Sequence, residues 1–189
     1  MYYRTPSQLK ELCEEYHLSP SKHYGQHYLI SDAPIIKMIE AAELTRDDTV
    51  IEIGPGFGVL TLAIASLVKK VIAFEIEKKL QPYWEEKMKE YPNVEIVWGN
   101  FLRTSDGRLP YGPEDPQGRR QTSDSNGFLT ASGSHSLGAS EVRSPYKVLA
   151  NLPYQITSDA LRVMLELEPK PERIIVMVQK EVAERICAK

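Results

Sequence analysis

The stretch Val50-Ile51-Glu52-Ile53-Gly54-Pro55-Gly56-Phe57-Gly58 constrains this chain more than any other. A short apolar run feeds three glycines at alternate positions, and Val59 to Leu67 then reads as a helix. An apolar run closed by glycine is how a buried parallel strand ends when its backbone must approach a ligand. Glycine carries no Cβ, so such a turn can take positive φ and lie open. The helix that follows offers N–H groups and a partial positive charge to whatever lies there. The stretch therefore predicts the first strand-turn-helix unit of a doubly wound, mostly parallel α/β sheet of the Rossmann-like kind.

Dinucleotide-binding turns favour G-x-G-x-x-G, whereas this chain has G-x-G-x-G at Gly54, Gly56 and Gly58. The tighter spacing suits a loop wrapped around an adenosyl amino acid better than one cradling a pyrophosphate. Val71-Ile72-Ala73-Phe74 reads as a second buried strand ending in Glu75-Ile76-Glu77. Glu75 follows the first glycine by about 20 residues, where an acidic side chain accepts hydrogen bonds from a ribose. A carboxylate at the end of an apolar strand is costly to bury without a partner.

Upstream, Thr5 and Pro6 suit the cap and first turn of an amphipathic helix to Tyr16. A polar and aromatic segment, Gly25-Gln26-His27-Tyr28-Leu29, leads to a helix capped by Ser31 or Asp32 with Ile35, Ile36, Ile39 and Ala42 on one face. Downstream, Leu80 to Tyr91 reads as an amphipathic helix of alternating charge in a solvated outer layer. Val94 to Trp98 is strand three, followed by Gly99-Asn100-Phe101. Residues 103–145 are dense in Ser, Gly, Pro, Asp and Arg with no apolar period, which predicts a disordered surface insertion. Tyr146 to Ala150 is strand four. Thr157 or Ser158 then caps a helix with Leu161, Met164 and Leu165, and Arg173 to Val178 is strand five before a last helix from Gln179. Strands separated by helices imply right-handed parallel crossovers.

Bulk properties narrow the class. The 189 residues, 42% hydrophobic and 26% charged, fit one soluble domain spanning 1–189. No apolar run approaches the roughly 20 residues needed to cross a bilayer, so no membrane role is expected. Cys13 and Cys187 have no metal-ligand spacing around them, so no metal is expected and a reducing cytoplasm is the expected home. The net charge of −3 lacks the basic footprint of a nucleic-acid binder.

Asn151-Leu152-Pro153-Tyr154 carries the chemistry at the carboxyl end of strand four, beside strand one. The lone pair of an exocyclic ring amine is delocalised and poorly nucleophilic. The Asn151 side-chain oxygen and the Leu152 carbonyl, accepting from its two N–H groups, favour the pyramidal geometry that methyl transfer needs. Pro153 stiffens the turn, and Tyr154 offers a face for a flipped-out base. The alternative is an Asn-Pro turn with a core tyrosine.

Together the motifs resemble the ribosomal RNA adenine N6,N6-dimethyltransferase family of the small subunit. The matching residues are Gly25 to Leu29, Glu52 to Gly58, Phe74 to Glu77, Asn151 to Tyr154 and Gln179-Lys180-Glu181-Val182. The resemblance implies S-adenosylmethionine as cofactor, adjacent adenines in a small-subunit rRNA hairpin as substrate, and the small ribosomal subunit as partner. It implies that His27 and Leu29 flank the cofactor, and that the loop at Gly54 and Gly56 approaches its amino-acid part. Glu75 would take the ribose, Asn100 would lie near the adenine, and Asn151 to Tyr154 would form the catalytic target-base pocket, with Asn151 also at the cofactor. The family more often has Asn at His27 and usually Asp at Asn100. It also continues past Lys189 with two more strands and a small helical domain that helps seat RNA, so the sheet is expected to be incomplete after strand five, with an open edge and marginal stability or self-association.

Three other readings remain. One is a large-subunit rRNA adenine methyltransferase of the antibiotic-resistance type, from which Leu152 differs where those enzymes often carry Ile. Another is a nicotinamide-dependent oxidoreductase, for which no catalytic Tyr-Lys or His pair is spaced. The third is a non-catalytic RNA-binding or assembly factor that retains the fold.

Overall fold

The apolar runs become five parallel strands: β1 (Thr49–Ile53), β2 (Lys70–Glu75), β3 (Val94–Trp98), β4 (Tyr146–Asn151) and β5 (Arg173–Met177). Their order across the sheet is β3-β2-β1-β4-β5. The computed structural model describes residues 5–18, 33–103 and 145–188. The segment Gly25 to Leu29, with His27 and Leu29, lies outside the described residues, as do the expected caps Ser31 and Asp32. So does the expected insertion, apart from Arg103 and Pro145 at its two ends.

Among the described residues there are six α-helices: α1 (Pro6–Glu15), α2 (Ala33–Ala42), α3 (Val59–Ala65), α4 (Gln81–Glu90), α5 (Thr157–Glu166) and α6 (Lys180–Cys187). Strand side chains alternate between two cores. Val50, Val71, Ala73, Ile96 and Leu149 face α1 to α4, whereas Ile51, Ile72, Phe74, Val148 and Ala150 face α5. Both faces are covered, which is why the strands read as continuous apolar runs. Each fully buried large side chain, such as Ile51, Ile64 or Met164, contributes about 1.5–3 kcal/mol.

Helix boundaries follow local chemistry. Thr5 caps α1 through a reciprocal pair: its hydroxyl accepts from Gln8 N at 3.2 Å, and Gln8 Oε1 accepts from Thr5 N at 2.8 Å. At α5 the expectation fails. Thr157 is the first helical residue, and its hydroxyl donates to Pro153 O at 3.0 Å because a 3₁₀ turn over Tyr154–Ile156 already enters the helix. Two expected core positions also fail. Ile36 is 52% exposed and Leu165 is 64% exposed. Each follows a buried or half-buried neighbour, and successive residues sit about 100° apart on a helix. Met38 takes the inward position in α2.

The amino ends of the strands are locked by a buried ion pair. Lys147 Nζ donates to Asp48 Oδ2 at 2.9 Å and to Glu43 O at 2.8 Å, with both side chains almost fully buried. Burial opposes the Asp48 charge, but Lys147 and Thr45 outweigh it and hold the carboxyl below its ordinary value.

Candidate active site

The strand order reverses between β1 and β4, and in parallel sheets a crevice opens at the carboxyl ends beside such a reversal. Ile53 pairs with Phe74 on one side and Ala150 on the other, so Gly54, Glu75 and Asn151 leave the sheet at one level. Gly54 N donates to Phe74 O at 2.9 Å, Gly99 N to Glu75 O at 2.9 Å, and Leu152 N to Met177 O at 3.0 Å. The rim thus runs from Asn100 through Glu75 and Gly54 to Asn151.

Gly54, Gly56 and Gly58 have φ of 71°, 54° and 77°. A Cβ at Gly54 would meet nothing within 4 Å, so its backbone faces open space at the rim. A Cβ at Gly58 would lie 2.7 Å from Trp84 Cη2, so there the glycine is needed for packing as well as for its backbone angle.

Two carboxylates stand under this loop. Glu75, 2% exposed, accepts from Gly56 N at 3.0 Å through Oε2 and from Glu77 N at 2.8 Å through Oε1. Burial raises its pKa, and the backbone N–H groups of Glu77, Gly56 and Ile76 pull the other way. Each oxygen retains acceptor capacity, because a carboxylate offers about four lone-pair sites. Glu52, also 2% exposed, lies below in β1. Burial pushes its carboxyl up to about 8; the Thr61 hydroxyl and N–H oppose this and the Glu75 charge adds to it. Neither Glu52 Oε2 nor Thr61 Oγ1 completes a hydrogen bond.

On the other lip, Leu152 is buried and Tyr154 is 52% exposed. The Pro153 carbonyl accepts from Thr157 Oγ1 at 3.0 Å and Ile156 N at 3.2 Å, which pins the turn. Asn100 Oδ1 accepts from Leu102 N at 3.0 Å, fixing the side chain at the end of β3.

Gly54, Gly56, Glu75, Asn100, Asn151, Leu152, Pro153 and Tyr154 are therefore brought to one end of one sheet. His27 and Leu29 lie outside the described residues. Sequence reasoning missed what stands behind the loop. In α4, expected to be a solvated layer, Tyr83 and Trp84 are buried. Tyr83 Oη donates to Phe57 O at 2.8 Å, and Trp84 Nε1 donates to Gly56 O at 2.9 Å. The available signal was an adjacent aromatic pair in a first helical turn, with polar tips that need partners when buried. Among the described residues no group of three His, Cys, Asp or Glu side chains is placed to hold a metal ion. No helix among them is long and apolar enough to cross a membrane.

Comparison with known proteins gives the family. Residues 18–189 match the family model described as Ribosomal RNA adenine dimethylase. The Ribosomal RNA small subunit methyltransferase A of Dehalococcoides mccartyi strain BAV1 is 42% identical over 183 residues, covering 97% of this chain and 53% of the relative. That of Levilactobacillus brevis is 37% identical over 185 residues, covering 97% of this chain and 53% of the relative. The chain thus spans about half the length of the curated relatives it matches. Among solved structures, a dimethyladenosine transferase from Plasmodium falciparum superposes with a TM-score of 0.59 at 25% identity, covering 86% of this chain and 47% of that one. The 23S rRNA methyltransferase ErmE gives a TM-score of 0.57 at 26% identity, covering 84% of this chain and 50% of that one.

Proposed function

The chain belongs to the ribosomal RNA adenine dimethylase family, and we propose that it acts in S-adenosylmethionine-dependent N6,N6-dimethylation of adenines in small-subunit ribosomal RNA. The observation that carries the proposal is the meeting of the glycine loop, Glu75 and Asn151 to Tyr154 at one reversal of strand order. Relatives named for the small-subunit modification favour that substrate over the large-subunit one.

The residues suit the cofactor. The open backbone at Gly54 admits a ligand where a side chain would obstruct it, and Glu75 retains acceptor capacity for two ribose hydroxyls. Asn100 offers an amide beside the adenine position, and His27 and Leu29 complete the cofactor wall in this proposal. Bound there, S-adenosylmethionine supplies an electrophilic methyl group on a sulfonium. Ile76, 59% exposed next to Glu75, adds apolar surface at the same lip.

The chain's own contribution to the reaction is orientation. The Asn151 side-chain oxygen and the Leu152 carbonyl accept from the target amine, and this draws its lone pair out of conjugation with the ring. The two hydrogen bonds on the Pro153 carbonyl hold those acceptors in place. Tyr154 presents half its surface for stacking against an extruded base. No side chain has to act as acid or nucleophile, and the proton that the amine sheds on each methylation passes to water. Cys13 and Cys187 form no disulfide, which suits a reducing cytoplasm as the place of action in this proposal.

The test is incubation with methyl-labelled S-adenosylmethionine and unmodified small-subunit rRNA. The proposal expects label recovered as N6,N6-dimethyladenine, and its loss in Asn151→Ala. Label only in large-subunit rRNA would move the substrate. RNA binding with no label from a chain that binds cofactor would favour an assembly factor instead.

A further inference from the structure

We infer that Tyr83 and Trp84, together with helix α1, form a brace that sets the glycine loop from behind, so that these aromatics are positioning residues for whatever the loop binds. Their role toward S-adenosylmethionine rests on the reading just given.

The brace is built from paired backbone groups and stacked rings. In the loop, Gly56 N–H is taken by Glu75 Oε2 and Gly58 N–H by Pro55 O at 2.8 Å. The carbonyls of Gly56 and Phe57 are taken from the opposite side by Trp84 Nε1 and Tyr83 Oη. The three peptide groups from Pro55 to Gly58 are therefore each hydrogen-bonded, the first and third at both their N–H and their carbonyl, and none can flip without breaking a hydrogen bond. The fit is steric as well, since the Trp84 ring occupies the space that a Cβ at Gly58 would need.

The rings continue away from the loop. Phe57 meets Tyr83 edge-on at 5.4 Å between centroids, and Tyr83 meets Trp84 at 5.4 Å. Tyr16, the C-cap of α1, meets Tyr83 edge-on at 5.8 Å and Phe57 at 6.2 Å. Lys79 Nζ donates to His17 O at 3.0 Å, tying the same end of α1 to the turn before α4. Helix α1 precedes the family match, which begins at residue 18. It nevertheless lies largely within the 97% of the chain that aligns with the Dehalococcoides and Levilactobacillus relatives. Aromatic pairs at these separations attract beyond the burial of their surface, which favours one loop geometry over its alternatives.

The test compares Tyr83→Phe and Trp84→Phe, which keep a ring and remove one donor each, with Val94→Ala, a core change at the far end of β3. Hydrogen exchange is read over residues 54–62, and S-adenosylmethionine affinity by calorimetry. Each aromatic variant is expected to speed loop exchange by about fivefold or more while β4 is unchanged, because only the loop opens locally. Each is also expected to weaken the cofactor by about fivefold or more, the effect of one lost buried hydrogen bond. Val94→Ala is expected to do neither beyond its general loss of stability. Tyr16→Leu, which leaves both donors in place, is expected to give a smaller change of the same kind. Wild-type loop exchange in both aromatic variants, or an equal change in Val94→Ala, would overturn the brace. If the exchange pattern appears but the wild-type chain has no affinity for S-adenosylmethionine, the brace stands and the cofactor reading falls.

Discussion

Glu52→Gln should change how stability depends on pH, and in a direction opposite to that of most carboxylates. Glu52 sits in β1 beneath the glycine loop, 2% exposed, with Oε2 lacking a completed hydrogen bond. Its carboxyl titrates near 4.5 when unperturbed and at about 8 in the fold, chiefly through burial. Between those values the folded chain keeps a proton that the unfolded chain has released, so stability falls as pH rises. The contribution is fully present below the unfolded value and is lost as pH climbs through the folded one. At about 1.4 kcal/mol per pH unit, the gap gives a ceiling of about 5 kcal/mol. Local relaxation and water entry reduce such penalties, so a loss of about 2–5 kcal/mol is expected. Glutamine keeps the shape and cannot ionise. Urea unfolding followed by circular dichroism should give nearly equal stabilities at about pH 5, and a variant more stable by about 2–5 kcal/mol at about pH 9. The raised Glu75 adds a slope of the same sign to both chains, so the difference between them reads Glu52 together with its repulsion from Glu75. Parallel pH curves would refute the reasoning, and a variant less stable at high pH would mean that an ionised Glu52 is well partnered.

Other changes separate the site from its scaffold. Lys147→Met leaves Asp48 buried and unpaired, so a loss of about 3–5 kcal/mol is expected by thermal or urea unfolding. Gly54→Ala should cost only the left-handed backbone penalty, about 1–2 kcal/mol, yet abolish cofactor binding, because its Cβ enters open space at the rim. Gly58→Ala adds a clash with Trp84 and should destabilise by about 2–4 kcal/mol in the same unfolding assay.

Much of this arrangement was legible in the residues. β3 occupies the predicted Val94 to Trp98, and β1 takes up the apolar run ahead of Gly54, because strands buried on both faces read as unbroken apolar runs. The strand order follows from the crossovers, and it brings Asn151 beside Gly54. What stayed hidden depends on direction rather than composition. Leu165 looked like core by its type, but its angle on α5 turns it outward. The charge alternation of α4 describes most of that helix and conceals the one turn where Tyr83 and Trp84 face inward. Glu52 lies in an apolar run, and no pattern within that run announces an acid held without a completed hydrogen bond on one oxygen.

The most direct test of the account is calorimetric titration of S-adenosylmethionine into the chain, with a nicotinamide dinucleotide as comparator and Glu75→Ala as control. The account predicts binding of the sulfonium cofactor alone, weakened about tenfold or more by the Glu75 change, which removes a charge-assisted acceptor. A folded chain that binds the nicotinamide cofactor instead, or binds S-adenosylmethionine equally well without Glu75, would contradict it.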